Sequence, residues 1–190
     1  MESLLYRSPR IYALALNIMH GSSLQKRYEL ISSHIDAGDR VLDVGCGTCM
    51  LSGFIEGEYY GIDLNDRFIT YARKKGLHVE KKDITSFNRF HEFDVCVITD
   101  ILHHISPNHQ EFLKTVVNES KNKVIVCEPY VPEGRREIVN RISRWLDYDG
   151  INKPPLEWLN KEELHSFFNG FQPHRICELD DDIIAVYRKY

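Results

Sequence analysis

Short, nearly continuous apolar runs alternate along the chain with stretches whose apolar residues recur at helical spacing. Five runs rich in β-branched residues predict strands at residues 40–44, 59–63, 78–82, 94–99 and 123–128. The runs VLDV, VCVIT and VIVC are apolar almost throughout, as expected for strands that are buried on both faces. The alternation of strands with helical stretches therefore predicts a parallel sheet with helices on both faces.

Start and stop signals between the strands predict where the helices lie, because capping residues, proline and glycine have preferred positions at helix ends. The predicted helices are residues 66–75, ended by Gly76; one capped by Ser106 with Pro107 in its first position; one capped by Asn160; and one from about Met50.

Both ends of the chain depart from this alternation. Residues 10–36 are predicted to form two helices before the first strand. Residues 173–179 and 183–189 are predicted to form two strands, joined by a turn of aspartates. A turn this short cannot contain a parallel crossover, so the last strand should run antiparallel.

Length and composition exclude several classes of protein. A chain of 190 residues, with 43% apolar and 27% charged residues, predicts one globular domain. The net charge of -4 argues against a protein that binds the phosphates of nucleic acids. No uninterrupted apolar stretch is long enough to span a bilayer, so stable membrane insertion is not expected.

The cysteines and the N-terminus suggest a cellular compartment. The five cysteines are odd in number, and Cys96 and Cys127 lie inside apolar runs, which predicts reduced thiols. The first residues lack the charged and apolar regions of a secretory signal. A cytoplasmic location is therefore expected.

The strongest local signal is the sequence VLDVGCGTCM at residues 41–50. A buried strand ends near Asp43, and a tight turn of Gly45, Cys46 and Gly47 follows at the sheet edge where open α/β sheets bind ligands. The next strand ends at Asp63, 18 residues after Gly45. An acid at about this distance can accept hydrogen bonds from ribose hydroxyls, which predicts a nucleotide-like ligand.

This ligand is not expected to be a dinucleotide. The dinucleotide pattern G-x-G-x-x-G fails at its third glycine, where this chain has Met50. Asp43, two residues before the first glycine, would repel a pyrophosphate and would suit a cationic amino group.

The motifs VLDVGCGTC, GID, KKDIT, DVCVITDILHHI and VIVCEP resemble, in this order, the motifs of class I S-adenosylmethionine-dependent methyltransferases over about residues 28–130. The resemblance implies a doubly wound, Rossmann-like α/β fold. Its seven-stranded sheet would be mostly parallel, with an antiparallel last strand and N-terminal lid helices. A single domain is expected, with a helical lid at 1–36, a cofactor-binding core at 37–130, an acceptor-side segment at 131–172 and a terminal hairpin at 173–190.

The resemblance also implies S-adenosylmethionine as the cofactor and a set of contacts to it. The implied contacts are Asp43, Gly45, Cys46 and Gly47 for the methionine part, Asp63 and Leu64 for the ribose, Asp83 and Ile84 for the adenine, and Thr99 and Asp100 at the reactive centre. Cys49 stands where the family usually has a third glycine, and its side chain is expected to narrow the space beside the cofactor.

The acceptor side carries weaker signals. Candidate catalytic residues are His103, His104 and Glu128, and candidate substrate-binding residues are Tyr12, His20, Tyr130 and Trp158. A histidine here could act as a base or a donor, could simply pack or cap, or could join Asp100 in a metal site. Because the acids that accompany such a site in some similar enzymes are absent, no metal is predicted.

Two other patterns have ordinary explanations. Cys46 and Cys49 match C-x-x-C, but a zinc site needs about four ligands and no second pair exists, so we interpret the match as a coincidence. Four arginines, at positions 135, 136, 141 and 144, form a basic cluster. The cluster is either a solvated helix face or a site for an anionic group on the acceptor.

The sequence as a whole predicts methyl transfer to a small-molecule acceptor, without a nucleic-acid partner. Two alternatives stay open. One is a non-catalytic cofactor-binding protein or partner subunit, and the other is a protein or RNA methyltransferase. The acceptor, the attacked atom and the oligomeric state are not predicted.

Overall fold

The computed structural model describes residues 8–131 and 159–189, without the side chains of residues 15–21. Its helices and strands are, in chain order, α1 (Pro9–Ser32), β1 (Arg40–Val44), β2 (Glu58–Asp63), α2 (Asp66–Lys74), β3 (Val79–Lys81), β4 (Val95–Thr99), α3 (His109–Glu119), β5 (Lys123–Pro129), α4 (Lys161–Asn169), β6 (Arg175–Leu179) and β7 (Asp182–Arg188). Within these residues, no helix has the length and apolar character needed to cross a bilayer.

The strands form one seven-stranded sheet in the order β3-β2-β1-β4-β5-β7-β6. Strands β1 to β5 are parallel, whereas β7 is antiparallel to both of its neighbours. The predicted seven-stranded Rossmann-like sheet and its antiparallel last strand are therefore confirmed. The strand order reverses between β1 and β4, and this switch point opens a crevice at their carboxyl ends.

Both faces of the sheet are buried, as the apolar runs predicted. On β1, Leu42 and Val44 pack on the face covered by α3 and α4. Val41 points to the opposite face, where Ile31 of α1 is fully buried against the sheet. Successive side chains of a strand point to opposite faces, so a strand covered on both sides needs apolar residues at nearly every position.

The N-terminal residues form one helix of 24 residues, so the prediction of two lid helices is wrong. Gly21 lies inside α1, where a glycine costs only about 1 kcal/mol relative to alanine. No proline interrupts the helix after its first turn. Leu24, Tyr28 and Ile31 lie at helical spacing and are buried against the sheet, which offsets that cost.

Two predicted helix starts are also wrong. The segment after the glycine turn forms only a short 3₁₀ turn, Met50–Phe54, because Cys49 before it has a left-handed backbone and provides no side-chain cap. Helix α3 begins at His109 rather than after Ser106. Another 3₁₀ turn, Leu102–Ile105, lies between the end of β4 and the start of α3.

Two other helix-end signals are confirmed. Helix α2 ends just before Gly76, which has a positive φ of 79°. At the start of α4, the side chains of Asn160 and Glu163 bond to each other's backbone N–H in a capping box.

Candidate active site

A cavity of about 270 Å³ opens at the carboxyl ends of β1, β2, β3 and β4. The loops that follow these strands form its wall, and α1 adds Tyr12 and Tyr28 from above. The cavity is lined by every residue predicted to bind the cofactor: Asp43, Gly45, Cys46, Gly47, Asp63, Leu64, Asp83, Ile84, Thr99 and Asp100. The switch point of the sheet thus brings together motifs that lie far apart in the chain.

A larger groove of about 920 Å³ lies between α3 and α4. It is lined by helix side chains such as Lys114 and Phe167 and by none of the strand ends. Because open α/β sheets bind ligands outside the carboxyl ends of their strands, we take the smaller cavity as the candidate active site.

The turn after β1 presents its backbone to the cavity. Gly45 has a positive φ of 73°, and a Cβ at this position would lie 2.1 Å from Cδ1 of Ile101. Gly47 has a positive φ of 52°, and a Cβ there would meet only the Tyr12 ring, at 3.9 Å. The turn therefore needs glycine for its conformation, and at Gly45 also for space.

Cys49 does not narrow the cavity, so that expectation is wrong. Its φ of 59° places it in the left-handed region. The side chain packs behind the turn with Cys46, Ile69 and Ala72, where it is 3% exposed. All five cysteines are free. A hydrogen bond between the two thiols, and then burial, raise the pKa of Cys46, which disfavours its thiolate form.

Asp43 is a buried carboxylate in the cavity wall. It is 4% exposed, and the Tyr59 hydroxyl donates a hydrogen bond of 2.6 Å to its Oδ2. Burial raises the pKa of Asp43 to about 7. The hydrogen bond from Tyr59 lowers this pKa, and the negative charge of Asp63 raises it further. This carboxyl group is therefore poised to lose its proton when a cation arrives.

Asp63 and Asp83 are held by backbone N–H groups. Gly47 and Asn65 donate to the two carboxylate oxygens of Asp63 at 2.8 and 2.7 Å. Asp63 thereby ties the glycine turn to the end of β2. Asp83 follows β3 and accepts hydrogen bonds from the backbone and hydroxyl of Thr85 at 2.9 and 2.7 Å, which fixes the next turn.

Arg27 joins α1 to the cavity through two carboxylates. It is 2% exposed and binds Asp182 with Nε and Nη2 at 2.7 and 2.6 Å, while Nη1 binds Oδ2 of Asp100 at 2.6 Å. Burial alone would lower the pKa of Arg27, but Asp100 and then Asp182 outweigh it and raise the pKa, so the guanidinium stays charged. Oδ1 of Asp100 and Oγ1 of Thr99 are buried without a hydrogen-bond partner.

The three predicted catalytic residues have different environments. His104 lines the cavity, whereas His103 and Glu128 line a separate space of about 20 Å³. Glu128 accepts hydrogen bonds from the N–H groups of Ile101 and Leu102 at 2.6 and 2.7 Å, and from Nδ1 of His103 at 2.8 Å. Its carboxylate thus holds the loop after β4, and the prediction that it faces the acceptor does not fit this placement.

His104 is a neutral imidazole in the cavity wall. Burial, and then the charge of His103, lower the pKa of His104 well below its usual value. The two rings are in contact at a tilt of 38°, with their centroids 4.2 Å apart. Of the two histidines, only His104 can meet an acceptor in the cavity.

The predicted substrate-binding residues are brought together only in part. Tyr12 lines the cavity and contacts the Phe68 ring, with the centroids 5.0 Å apart. Tyr130 points elsewhere, and its hydroxyl donates to the carbonyl of Asp180 at 3.2 Å. The side chain of His20, Trp158, and the four arginines at 135–144 lie outside the described residues. Among the residues described, no group of three or more His, Cys, Asp or Glu side chains could hold a metal ion.

The contribution of α1 near its C-terminal end was not predicted from the sequence. Arg27 and Tyr28 follow Leu24 at helical spacing and share its face with Ile31. A charged residue within an apolar stripe is a signal of a buried ion pair and could have been noticed. Nothing in the sequence indicated that its partners would be Asp100 and Asp182. The other lining residues not singled out are Thr48, Met50, Leu51, Asn65, Phe68, Thr85, Ile101 and Ile105.

Comparison with known proteins finds similarity to a methyltransferase domain family. Residues 41–123 match the methyltransferase domain family. A curated relative, an uncharacterized protein of Methanocaldococcus jannaschii, is 25% identical over 135 residues, which is 63% of this chain. The chain spans 36% of the length of that relative.

Several solved structures share the fold. A Thermotoga maritima protein described as a possible histamine N-methyltransferase has a TM-score of 0.72 and 13% identity, and the match covers 98% of both chains. A methyltransferase from Archaeoglobus fulgidus has a TM-score of 0.67 and 18% identity, and the match covers 94% of this chain and 99% of that one. Magnesium protoporphyrin IX methyltransferase from Synechocystis, with bound S-adenosylhomocysteine, has a TM-score of 0.66 and 13% identity. That match covers 89% of this chain and 84% of the other.

Proposed function

We propose that the chain is a class I S-adenosylmethionine-dependent methyltransferase that transfers a methyl group to a small-molecule acceptor. One observation carries the proposal: a single cavity brings together the buried carboxylate of Asp43, the glycine turn and Asp63. Two of the similar structures are of proteins named for small molecules, histamine and magnesium protoporphyrin IX, which supports an acceptor of this size.

The side chains in the cavity fit S-adenosylmethionine. Asp43 would pair with the cationic amino group, and Asp63 would accept hydrogen bonds from the ribose hydroxyls, in the orientation set by Gly47. Asp83 and Ile84 would flank the adenine, with Leu64 beside the ribose. The buried oxygens of Thr99 and Asp100 without partners mark positions where a ligand atom is expected.

When bound, S-adenosylmethionine supplies a methyl group that its sulfonium has already activated. The protein therefore has to orient the acceptor and exclude water. His104, as a neutral imidazole, would accept a hydrogen bond or a proton from the acceptor. We assign His103 and Glu128 the indirect role of holding the loop that carries His104.

Three residues outside the strand ends, Tyr12, His20 and Trp158, also have proposed roles. Tyr12 would cover the cofactor from α1, because it lies beside Gly47 in the cavity wall. For His20 and Trp158 a role in acceptor binding remains a prediction, as does the absence of a nucleic-acid partner. The free cysteines support a reducing compartment, and so the proposed cytoplasmic location.

Two measurements test the proposal. The first is calorimetric titration with S-adenosylmethionine and, separately, with NAD; we expect binding of the former only. The second supplies methyl-labelled S-adenosylmethionine and an extract of the source cells, separated by size into small molecules and macromolecules. We expect label in the small-molecule pool. The Asp43→Asn variant should lose this label, whereas Asp66→Asn, on the exposed start of α2, should keep it.

Each alternative function predicts a different result. Label in protein or RNA, and not in small molecules, would identify a macromolecule methyltransferase. Cofactor binding without label in any pool would identify a non-catalytic binding protein or a subunit that needs a partner. Binding of NAD alone would overturn the proposal entirely.

A further inference from the structure

Asp100 has an unusual backbone and a fixed position. It follows β4 directly and has a positive φ of 56°, in the region where residues other than glycine are uncommon. Its N–H group donates to the carbonyl of Cys127 at 3.0 Å, so the strained residue is anchored to β5. Strain of this kind persists where the surrounding structure imposes it, and it is common at functional sites.

The ion pair around Asp100 is incomplete. Arg27 carries one positive charge and contacts two carboxylates, Asp100 and Asp182, so the cluster has a net charge of about -1. Arg27 binds only Oδ2 of Asp100, and Oδ1 is buried without a partner. Buried polar atoms in native proteins are almost always hydrogen-bonded. A donor, preferably a positively charged one, is therefore missing at Oδ1 of Asp100, a residue that lines the cavity.

The cofactor does not supply that donor in the proposed arrangement. Its amino group is assigned to Asp43, its ribose hydroxyls to Asp63, and its adenine to Asp83 and Ile84, near the carboxyl ends of β1, β2 and β3. A sulfonium carries charge but no N–H or O–H group. The donor to Oδ1 must then come from the acceptor.

The charges in the cavity favour a cationic acceptor. Four acidic side chains line it, those of Asp63, Asp83, Asp100 and, once the cofactor's amino group pairs with it, the ionised Asp43; none of its described lining residues is a lysine or an arginine. His104 adds no positive charge, because burial keeps its imidazole neutral. A carboxylate or phosphate acceptor would meet repulsion here, whereas an amine would be attracted.

We propose that the acceptor is a small amine whose nitrogen hydrogen-bonds to Asp100, with Arg27 as the residue that positions Asp100; this inference rests on the proposed function. The amine first releases one proton to solvent. Its lone pair then forms the bond to the methyl carbon as the carbon–sulfur bond breaks, and sulfur keeps that electron pair. The product is a methylated ammonium that can lose a further proton. Oδ1 holds an N–H group throughout.

The test measures binding rather than turnover. The protein with S-adenosylhomocysteine is dialysed to equilibrium against a small-molecule extract of the source cells, divided by ion exchange into cationic, neutral and anionic pools. Mass spectrometry identifies the compounds enriched on the protein side. We expect enrichment from the cationic pool, and label from S-adenosylmethionine in the same compounds.

Variants separate the roles of the residues. Asp100→Asn, which keeps the shape and tolerates a positive φ, should lower the enrichment about tenfold. Asp180→Asn is the matched control, because Asp180 is also an aspartate with a positive φ, of 51°, but lies exposed in the hairpin turn. Arg27→Lys keeps the positive charge but does not reproduce the guanidinium's contacts with both Asp100 and Asp182. It should raise the KM for the amine while the affinity for S-adenosylhomocysteine stays within about twofold.

The outcomes distinguish this inference from the proposed function. Enrichment from the anionic or neutral pool, or equal enrichment by Asp100→Asn, would overturn the amine assignment while S-adenosylhomocysteine still binds. A failure to bind S-adenosylhomocysteine, or a lack of enrichment and label in all pools, would overturn the proposed function together with the inference. If Arg27→Lys does not fold, the amine assignment is tested by the Asp100→Asn variant and by the charge of the enriched compounds.

Discussion

The two halves of the cavity are built in different ways. In the cofactor half, backbone N–H groups of the turn after β1 bind the end of β2: those of Gly45 and Cys46 donate to the carbonyl of Ile62, and that of Gly47 donates to the carboxylate of Asp63. In the acceptor half, side chains from distant segments hold the loop after β4: Arg27 from α1 contacts Asp100, and Glu128 from β5 contacts Ile101. One half depends on backbone conformation and the other on buried charge.

This difference allows the two halves to change independently within one fold. The cofactor half is fixed by the shape of its glycine turn and by the carboxylates at the strand ends. An acceptor that differs from one enzyme to the next can be met by changing side chains around a loop, without changing the strands that carry it. The predictions below test this division, starting with the largest expected effect.

The cofactor half should be most sensitive at Gly45. In Gly45→Ala, the positive φ costs about 1–2 kcal/mol, and the displacement of Ile101 adds about 1 kcal/mol. Because Ile101 lines the cavity, we also expect cofactor affinity to fall more than about a hundredfold. Denaturant unfolding and calorimetry measure the two effects.

The matched control is Gly76→Ala. Gly76 has a similar φ of 79°, but nothing lies within 4 Å of a Cβ built there. Its variant should lose only the conformational part of the stability and should bind the cofactor normally. Equal loss of cofactor affinity in both variants would contradict a specific role for the turn.

The buried carboxylate of Asp43 should lower the stability of the fold and strengthen cofactor binding. Its folded pKa, about 7, lies above the value in the unfolded chain, so the folded protein is most stable when the carboxyl is protonated and loses stability as the pH rises through 7. Asp43→Asn removes this penalty, and its unfolding free energy should exceed that of the wild type by up to about 4 kcal/mol at pH 8. The difference should shrink towards pH 5.

Cofactor binding should respond in the opposite direction. The amino group pairs with the ionised form of Asp43, so wild-type affinity should weaken as the pH falls below 7. Asp43→Asn should bind about 10- to 100-fold more weakly at pH 8 and should lack this pH dependence. Calorimetry between pH 6 and pH 8 measures both; an unchanged dissociation constant in the variant would exclude Asp43 as the partner of the amino group.

Asp63 should contribute less than Asp43, because it is less buried. Asp63→Ala removes the acceptor for the ribose hydroxyls and the tie to Gly47, and we expect cofactor affinity to fall more than tenfold, about 1.4 kcal/mol. Asp66→Ala, three residues on in the exposed first turn of α2, is the control. If affinity is unchanged in a folded Asp63→Ala variant, the ribose partner lies elsewhere.

The cofactor half of the cavity could be predicted from the sequence better than the acceptor half. The sheet and the cofactor half could be predicted because their signals are local: a buried strand, a glycine turn, and an acid at the end of the next strand. The acceptor half could not, since Arg27 meets Asp182 across 155 positions of sequence. Glu128 looked like a catalytic acid from its place at a strand end, but three hydrogen bonds show its carboxylate holding a loop.

The helical errors have a related cause. Local signals favoured a break in the N-terminal helix and a helix after Ser106. In the folded protein, packing of α1 on the sheet overrides the glycine inside it, and the turn held by Glu128 delays the start of α3. Local propensity is a weak prior wherever tertiary contacts compete with it.

The role of Glu128 can be separated from direct catalysis. Glu128→Gln replaces one carboxylate oxygen by an amide, so it weakens the charged bonds to Ile101, Leu102 and His103 without leaving a cavity. We expect turnover to fall about fivefold, close to 1 kcal/mol, with cofactor affinity within about twofold. Glu178→Gln, on the exposed β6, is the control. A complete loss of turnover would instead indicate that Glu128 touches the acceptor.

Cys49 should matter least, although it departs from the family pattern of glycines. It has a left-handed backbone, so Cys49→Gly releases about 1 kcal/mol of strain and loses the burial of one thiol, a similar amount. The side chain does not line the cavity, and the dissociation constant of the cofactor should stay within about twofold, roughly 0.4 kcal/mol. Cys49→Ala keeps the strain and loses the thiol, so it should be the less stable of the two variants. A gain in affinity above tenfold in Cys49→Gly alone would mean that the side chain does restrict the cofactor half after all, and that the turn is tuned by more than its backbone.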